Sequence, residues 1–165
     1  MFFWFIATSI WSVWFVFRDP KFDYRLLAIA ALTPDLVDGL LQAFGLAYGA
    51  MHSVVTSIAV LFAIMIATAG RRPSRQRLLA IPIGLFMHLI FDGAFSATKT
   101  FWWPLTGIAL GDKSIPSVER GTLNLPLELL GFVACVIAWR YFALSDKTRR
   151  TKFLITGELN REEVM

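Results

Sequence analysis

The chain contains 165 residues, of which 56% are hydrophobic and 15% aromatic, with a net charge of +4 and a mean hydropathy of +0.60. A soluble domain of this length could not bury so much apolar surface, so the composition predicts an integral membrane protein. The positive charges cluster between apolar runs, which is typical of membrane topology, and we predict no nucleic-acid partner. The single cysteine, Cys135, excludes an internal disulfide and a CxxC-type metal site.

Successive apolar runs predict the fold class, which is all-α: a polytopic transmembrane helical bundle of about five membrane-spanning helices. The helical domain is predicted over residues 1–145, and a polar cytoplasmic tail over 146–165. The first run lacks the basic residues and the cleavage site of a secretory signal, so we expect a retained helix. The five runs cover approximately residues 1–17, 26–47, 54–70, 78–95 and 125–144.

Two local signals predict helix boundaries around the second run. Asp19 followed by Pro20 is typical of an N-cap and a first helical position. Thr33 and Pro34 interrupt the run, and they predict that one helix ends there and that another begins with Thr33 as its cap.

Ionisable side chains lie inside the apolar runs. Asp35 and Asp38 are three residues apart, His52 precedes the third run, and His88 and Asp92 are four apart on one helix face. An ionisable residue at membrane depth costs about 2.5–3.5 kcal/mol on insertion scales, so it usually has a partner or a function. Taken singly, the aspartates also fit helix capping, and His52 fits an interfacial hydrogen bond.

The distribution of Lys and Arg predicts the topology of a multi-pass membrane protein. By the positive-inside rule, the basic segment 71–77 and the tail are cytoplasmic, so the N-terminus and the connection 96–124 lie outside. The ionisable side chains then fall in the outer half of the membrane, with Glu128 near the outer end of the fifth run. At 1.5 Å per residue, His52 is expected roughly 10 Å above His88.

A shared divalent cation would explain why these groups occur together. Five of them standing alone could cost on the order of 10 kcal/mol, and a cation would cancel much of that charge. Carboxylates and imidazoles without thiolate favour zinc, with manganese or iron as alternatives. A carboxylate not needed as a ligand could accept a proton from an activated water, so Asp38 and Glu128 are the candidate catalytic residues.

Four short motifs resemble those of the YdjM-like (LexA-regulated) inner-membrane metal-dependent hydrolases. They occur in the family's order on successive apolar runs: TPDLVD (33–38), GAMHS (49–53), HLIFD (88–92) and FWWPL (101–105). The resemblance covers roughly residues 30–105 and implies a metal site made of Asp35, Asp38, His52, His88 and Asp92. The chain departs from the family at Ala47, where members often carry a histidine, and its first helix lacks another.

The leading hypothesis is a membrane-embedded hydrolase whose partners are the lipid bilayer and a lipid or phosphoester substrate. It would cleave an ester or phosphoester at the outer side of the membrane. Intramembrane Asp and His residues also mark metal-ion or proton transport and relay proteins. A transporter is disfavoured because five helices without an inverted repeat are few. A structural subunit, with polar groups paired between helices, is the remaining alternative.

Overall fold

The computed structural model describes residues 1–109 and 120–159, which form α-helices and short 3₁₀ turns with no β-strand among them. The predicted all-α class is confirmed for this part of the chain. The middle of the predicted outer connection and the end of the predicted tail lie outside the described residues. The helices are α1 (Phe2–Phe17), α2 (Tyr24–Ala43), α3 (Val54–Ala67), α4 (Arg72–Leu78), α5 (Ala80–Phe91), α6 (Thr98–Phe101), α7 (Asn124–Tyr141) and α8 (Lys147–Thr156).

Helix α2 packs between α1 and α5, while α7 packs against α1, and α3 against α5. Glycines bring two of these helix pairs close together. A Cβ at Gly84 in α5 would lie 2.5 Å from the Leu27 carbonyl oxygen and 2.7 Å from Ala30 Cβ. A Cβ at Gly131 in α7 would lie 2.3 Å from the backbone nitrogen of Trp4 in α1. Neither position has room for a side chain, so both glycines are needed for backbone contact.

Two helices in the described chain are long and apolar enough to cross a membrane, Tyr24–Ala43 and the continuous stretch Gly121–Tyr141. The apolar helices α1 and α3 are shorter. The fourth predicted run contains α5, which has 12 residues and ends at Phe91 just before Gly93 in a left-handed conformation (φ 65°). A bundle of five membrane-spanning helices therefore stays a prediction.

Pro34 lies inside α2, which corrects the predicted break between two helices. Thr33 caps no helix, because its Oγ1 donates a 2.9 Å hydrogen bond to the Ile29 carbonyl within α2. Proline is tolerated inside an apolar helix when neighbouring groups bind the backbone carbonyls that it leaves open. Since α1 and α5 pack on α2, such partners are within reach, and the helix continues to Ala43.

The N-cap of α2 is Asp23, which corrects the predicted cap at Asp19. The buried Asp23 carboxylate accepts hydrogen bonds from the N–H groups of Arg25 and Leu26, each 3.2 Å long. Asp19 lies one turn earlier, where its carboxylate accepts from the Lys21 N–H at 2.8 Å. The cap could not be located from the motif because Asp19-Pro20 forms a separate turn before the helix.

Asp23 also connects the start of α2 with α4 and, through Arg25, with α8. It binds Arg25 Nη2 at 3.0 Å and, across to α4, Arg77 Nε at 2.8 Å, while Arg25 donates to the Leu154 carbonyl of α8. Burial alone would raise the pKa of Asp23, but the hydrogen bonds from Arg25 and Arg77 outweigh it and hold the pKa below its ordinary value. The basic segment 71–77, which is largely helical, and the tail therefore meet at one end of the molecule.

Candidate metal centre

Two buried histidines face each other beside the middle of α2. His52 lies in the 3₁₀ turn Ala50–His52 just before α3, and His88 lies in the last turn of α5. Their Nε2 atoms are 3.3 Å apart, so the expected depth difference of roughly 10 Å is wrong. That difference assumed a helix along the whole fourth run. Because α5 ends at Phe91, His88 lies level with the start of α3.

The other nitrogen of each ring fixes its tautomer. His52 Nδ1 lies 2.7 Å from Asp38 Oδ2, and His88 Nδ1 lies 2.7 Å from the Ala31 carbonyl oxygen. A carbonyl oxygen and an ionised carboxylate only accept hydrogen bonds, so Nδ1 carries the proton in both rings. In neutral rings both Nε2 lone pairs then point at one place. Two lone pairs at this distance repel each other unless a positive charge lies between them.

Asp35 completes a triangle with the two rings. Its Oδ1 is 3.4 Å from His52 Nε2 and 3.5 Å from His88 Nε2, and its Oδ2 is 3.4 Å from the Met1 amino nitrogen. With bonds of about 2.0–2.2 Å, the ligand atoms of a tetrahedral Zn²⁺ lie about 3.3–3.6 Å apart. The three atoms match that spacing, so Asp35, His52 and His88 could hold a metal ion. The Asp35 side chain is 25% exposed, which leaves the site open on one side.

Asp92 offers an oxygen for a fourth position. It is the C-cap of α5, and its buried Oδ2 lies 3.9 Å from His52 Nε2. Its Oδ1 is paired with the guanidinium of Arg120. Within residues 1–109 and 120–159, Oδ2 has no hydrogen-bond partner. A buried carboxylate oxygen without a partner is costly, and a bound cation would remove that cost, so the donor set fits a divalent ion.

Asp38 and Glu128 lie outside the triangle. Asp38 is on the far side of the His52 ring from Nε2, so its geometry favours orienting that ring. Glu128 accepts 3.0 and 2.9 Å hydrogen bonds from the N–H groups of Phe2 and Phe3, which caps the start of α1. The roles of ligand or base for Asp38, and of base for Glu128, stay predictions.

Besides the Met1 amino group, three groups of this site were not predicted from the sequence: Arg120, the Ala31 carbonyl, and Phe5, whose ring centroid is 4.1 Å from that of His88. A signal existed for two of them. Arg120 is a positive charge on the predicted outer side, where the positive-inside rule disfavours one. Pro34 has no N–H to donate to the Ala30 carbonyl, which indicates disturbed helical hydrogen bonding in the turn that contains Ala31. Phe5 has no distinguishing signal in an aromatic-rich first helix.

Comparisons with known protein families, with curated proteins and with solved structures gave no match. The candidate site therefore depends on its own geometry. That geometry combines nitrogen and oxygen donors at metal-ligand spacing with rings held by hydrogen bonds and one exposed side, which is the arrangement of a metal site with room for a further ligand.

Proposed function

We propose that the chain is a multi-pass protein of the inner membrane that hydrolyses an ester or phosphoester with a divalent ion, zinc first, at its outer side. The ion would be held by Asp35, His52, His88 and Asp92. One observation carries the proposal: two buried imidazoles, each with Nδ1 engaged, direct Nε2 to one place beside a carboxylate oxygen. Three of the four motifs that resemble the YdjM-like hydrolases contain these same residues.

Burial supports the location in a membrane. Only 11% of the apolar window of Gly121–Tyr141 is buried, whereas the core helix of a soluble protein is mostly buried. Several large apolar side chains of α7 are exposed, among them Leu125, Leu129, Leu130, Phe132, Val133 and Ile137. The basic helices α4 and α8 share one end, which suits a cytoplasmic C-terminus and an N-terminus outside.

A bound divalent ion would supply Lewis acidity and lower the pKa of a water. The side chains have their own tasks around it. Asp38 and the Ala31 carbonyl hold the two rings, so the ligand nitrogens need little reorganisation. Asp92 Oδ2 lies beside the triangle without a protein partner among the described residues, so it is placed to bind the ion or to accept a proton from water.

The test begins with metal analysis of the protein purified in detergent. Wild type should contain about one equivalent of zinc, manganese or iron, while Asp35→Asn and His88→Ala should lose it. Asp19→Asn is the matched control, because Asp19 is a half-buried aspartate of the turn before α2 and is not part of the cluster. Equal metal content in all four proteins would show that the cluster is a hydrogen-bonded structural pair.

The second step is activity. Metal-loaded protein is incubated with membrane phospholipids, isoprenoid phosphates and carboxylic esters, and products are detected by mass spectrometry. Cleavage that requires the metal and is lost in His88→Ala supports a hydrolase. Absence of cleavage, together with metal-ion or proton flux into proteoliposomes, would replace the hydrolase with a transport protein.

A further inference from the structure

An apolar groove begins beside the candidate metal centre. It lies between α3 and α5 and has a volume of about 480 Å³, within the range of ligand pockets. On α3 it extends from Val54 to Leu61, about 10 Å at 1.5 Å per residue. The end of the groove that Val54 and Met87 line is next to the metal centre, because Val54 is two residues after His52 and Met87 directly precedes His88. Apart from Ser57, the side chains that line it are apolar.

A guanidinium lies at the same end. Arg120 pairs with one oxygen of Asp92, and the other oxygen of that carboxylate lies 3.9 Å from His52 Nε2. The Nε of Arg120 is buried and has no hydrogen-bond partner in the described part of the chain. A guanidinium has five N–H donors in a planar fork that matches phosphoryl oxygens, so Asp92 does not exhaust its donors.

We propose that the substrate is a phosphate-bearing lipid, with its phosphoryl group at the metal centre and Arg120, and one hydrocarbon chain in the α3–α5 groove. This assignment rests on the proposed hydrolase function. A carboxylic ester lacks the anionic oxygens that a guanidinium binds best, and a water-soluble phosphoester would leave the groove unused. In the reaction, the oxygen of water bonds to phosphorus, the P–O bond to the alcohol breaks, and the proton released by water is returned to the leaving oxygen.

The kinetic test compares three chromogenic substrates with the same leaving group: hexadecyl p-nitrophenyl phosphate, ethyl p-nitrophenyl phosphate and p-nitrophenyl palmitate. Leu61→Trp fills the groove, and Phe62→Trp is its control, since Phe62 is exposed on α3 and does not line the groove. We expect Leu61→Trp to lower kcat/KM about tenfold for the two substrates with a long hydrocarbon chain, the hexadecyl phosphodiester and the palmitate ester, and to leave the ethyl phosphodiester unchanged. Phe62→Trp should change none of the three rates.

The head-group contact is tested with Arg120→Gln and with Arg120→Lys, which keeps the charge that faces Asp92. Arg72→Gln, in α4, is the charge-matched control. Loss of charge-assisted hydrogen bonds should lower kcat/KM about 10- to 100-fold for both phosphodiesters and leave the palmitate ester unchanged. Arg120→Lys should restore part of the loss. Equal losses for all three substrates would place Arg120 in the folding of the site and overturn its role in phosphate recognition.

Binding of hexadecyl phosphate, which cannot release nitrophenol, separates the two proposals. We follow it by thermal shift of the metal-loaded protein in detergent. A shift in wild type that is lost in Leu61→Trp and in Arg120→Gln supports the lipid phosphate. If wild type cleaves the palmitate ester and hexadecyl phosphate gives no shift, the substrate assignment fails while the hydrolase stands. If hexadecyl phosphate binds and nothing is cleaved, the hydrolase fails while the ligand stands.

Discussion

Asp38→Asn should weaken metal binding without unfolding the protein, because Asp38 orients a ligand ring. Its Oδ2 accepts the 2.7 Å hydrogen bond from His52 Nδ1, and the side chain is fully buried. Asparagine has almost the same volume and keeps a carbonyl oxygen that can accept from the ring. The ring can therefore stay in place, while the negative charge that makes His52 a stronger donor to the ion is lost.

The expected loss follows from this geometry. Removing a group that hydrogen-bonds to a metal ligand typically lowers metal affinity about 10- to 100-fold, or about 1.4–2.7 kcal/mol. Asp35 has an oxygen 3.4 and 3.5 Å from the two imidazole nitrogens, so Asp35→Asn removes a ligand charge and should cost more. Asp19→Asn should have no effect. The predicted order of zinc affinity is therefore wild type and Asp19→Asn, then Asp38→Asn, then Asp35→Asn.

Competition with a chromophoric chelator in detergent measures these affinities, and thermal denaturation checks that each variant is folded. Unchanged affinity in Asp38→Asn would refute the orienting role. A loss as large as that of Asp35→Asn would make Asp38 a ligand. The rate of substrate turnover distinguishes a general base from a group that orients His52. If Asp38 orients the ring, Asp38→Asn at saturating zinc should regain most of the wild-type rate. A residual deficit of about 10²–10⁴ would identify Asp38 as the general base.

Three further predictions concern packing, topology and pH. Gly84→Leu should destabilise the protein by about 1–3 kcal/mol, because the new side chain would collide with α2. Gly39→Ala should stabilise it by about 0.5–1 kcal/mol, because the space around Gly39 is open. Thermal denaturation in detergent compares the two variants. Reporter fusions after Arg75 and after Gly107 should give opposite signals, and the same signal from both would contradict an outward-facing site. The pKa of Asp23 is lowered by folding, so its stabilisation is present above about pH 3.9 and is lost as pH falls below that value; Asp23→Asn should flatten this part of the pH–stability curve.

Hydrophobicity located the helices better than it located their ends. Each of the five predicted runs overlaps a helix, in chain order α1, α2, α3, α5 and α7, because a long apolar stretch favours a helix wherever it packs. The ends depend on local contacts that composition does not show. Pro34 stays inside α2 because α1 and α5 pack against it, and the turn at Gly93 follows α5 well before the predicted end of the fourth run.

The candidate site was predictable as a set of residues and only partly as a geometry. Asp35, His52 and His88 were selected because ionisable groups are costly in apolar runs, and the structure brings them together. Asp38 was given the same weight, since a sequence cannot show which nitrogen of His52 it faces. The estimate of membrane depth from 1.5 Å per residue placed His52 and His88 apart, because it assumed that each apolar run is a single helix.

The charges around the centre explain why a cation fits there better than a hydrogen-bonded network. Asp35, Asp38 and Asp92 carry three negative charges when ionised. Arg120 is the cation paired with Asp92. The rings supply no positive charge in the neutral form that directs both Nε2 lone pairs inward. The Met1 amino group, 3.4 Å from Asp35 Oδ2, is a second cation, so one negative charge remains at the site. Protonating His52 or His88 at Nε2 would offset that charge but would use one of the two lone pairs, whereas a divalent ion offsets the charge and accepts both lone pairs. Arg120 would then retain N–H donors for an anionic group of the substrate. For this reason the Arg120 variants test whether the substrate is a phosphate ester or a carboxylic ester.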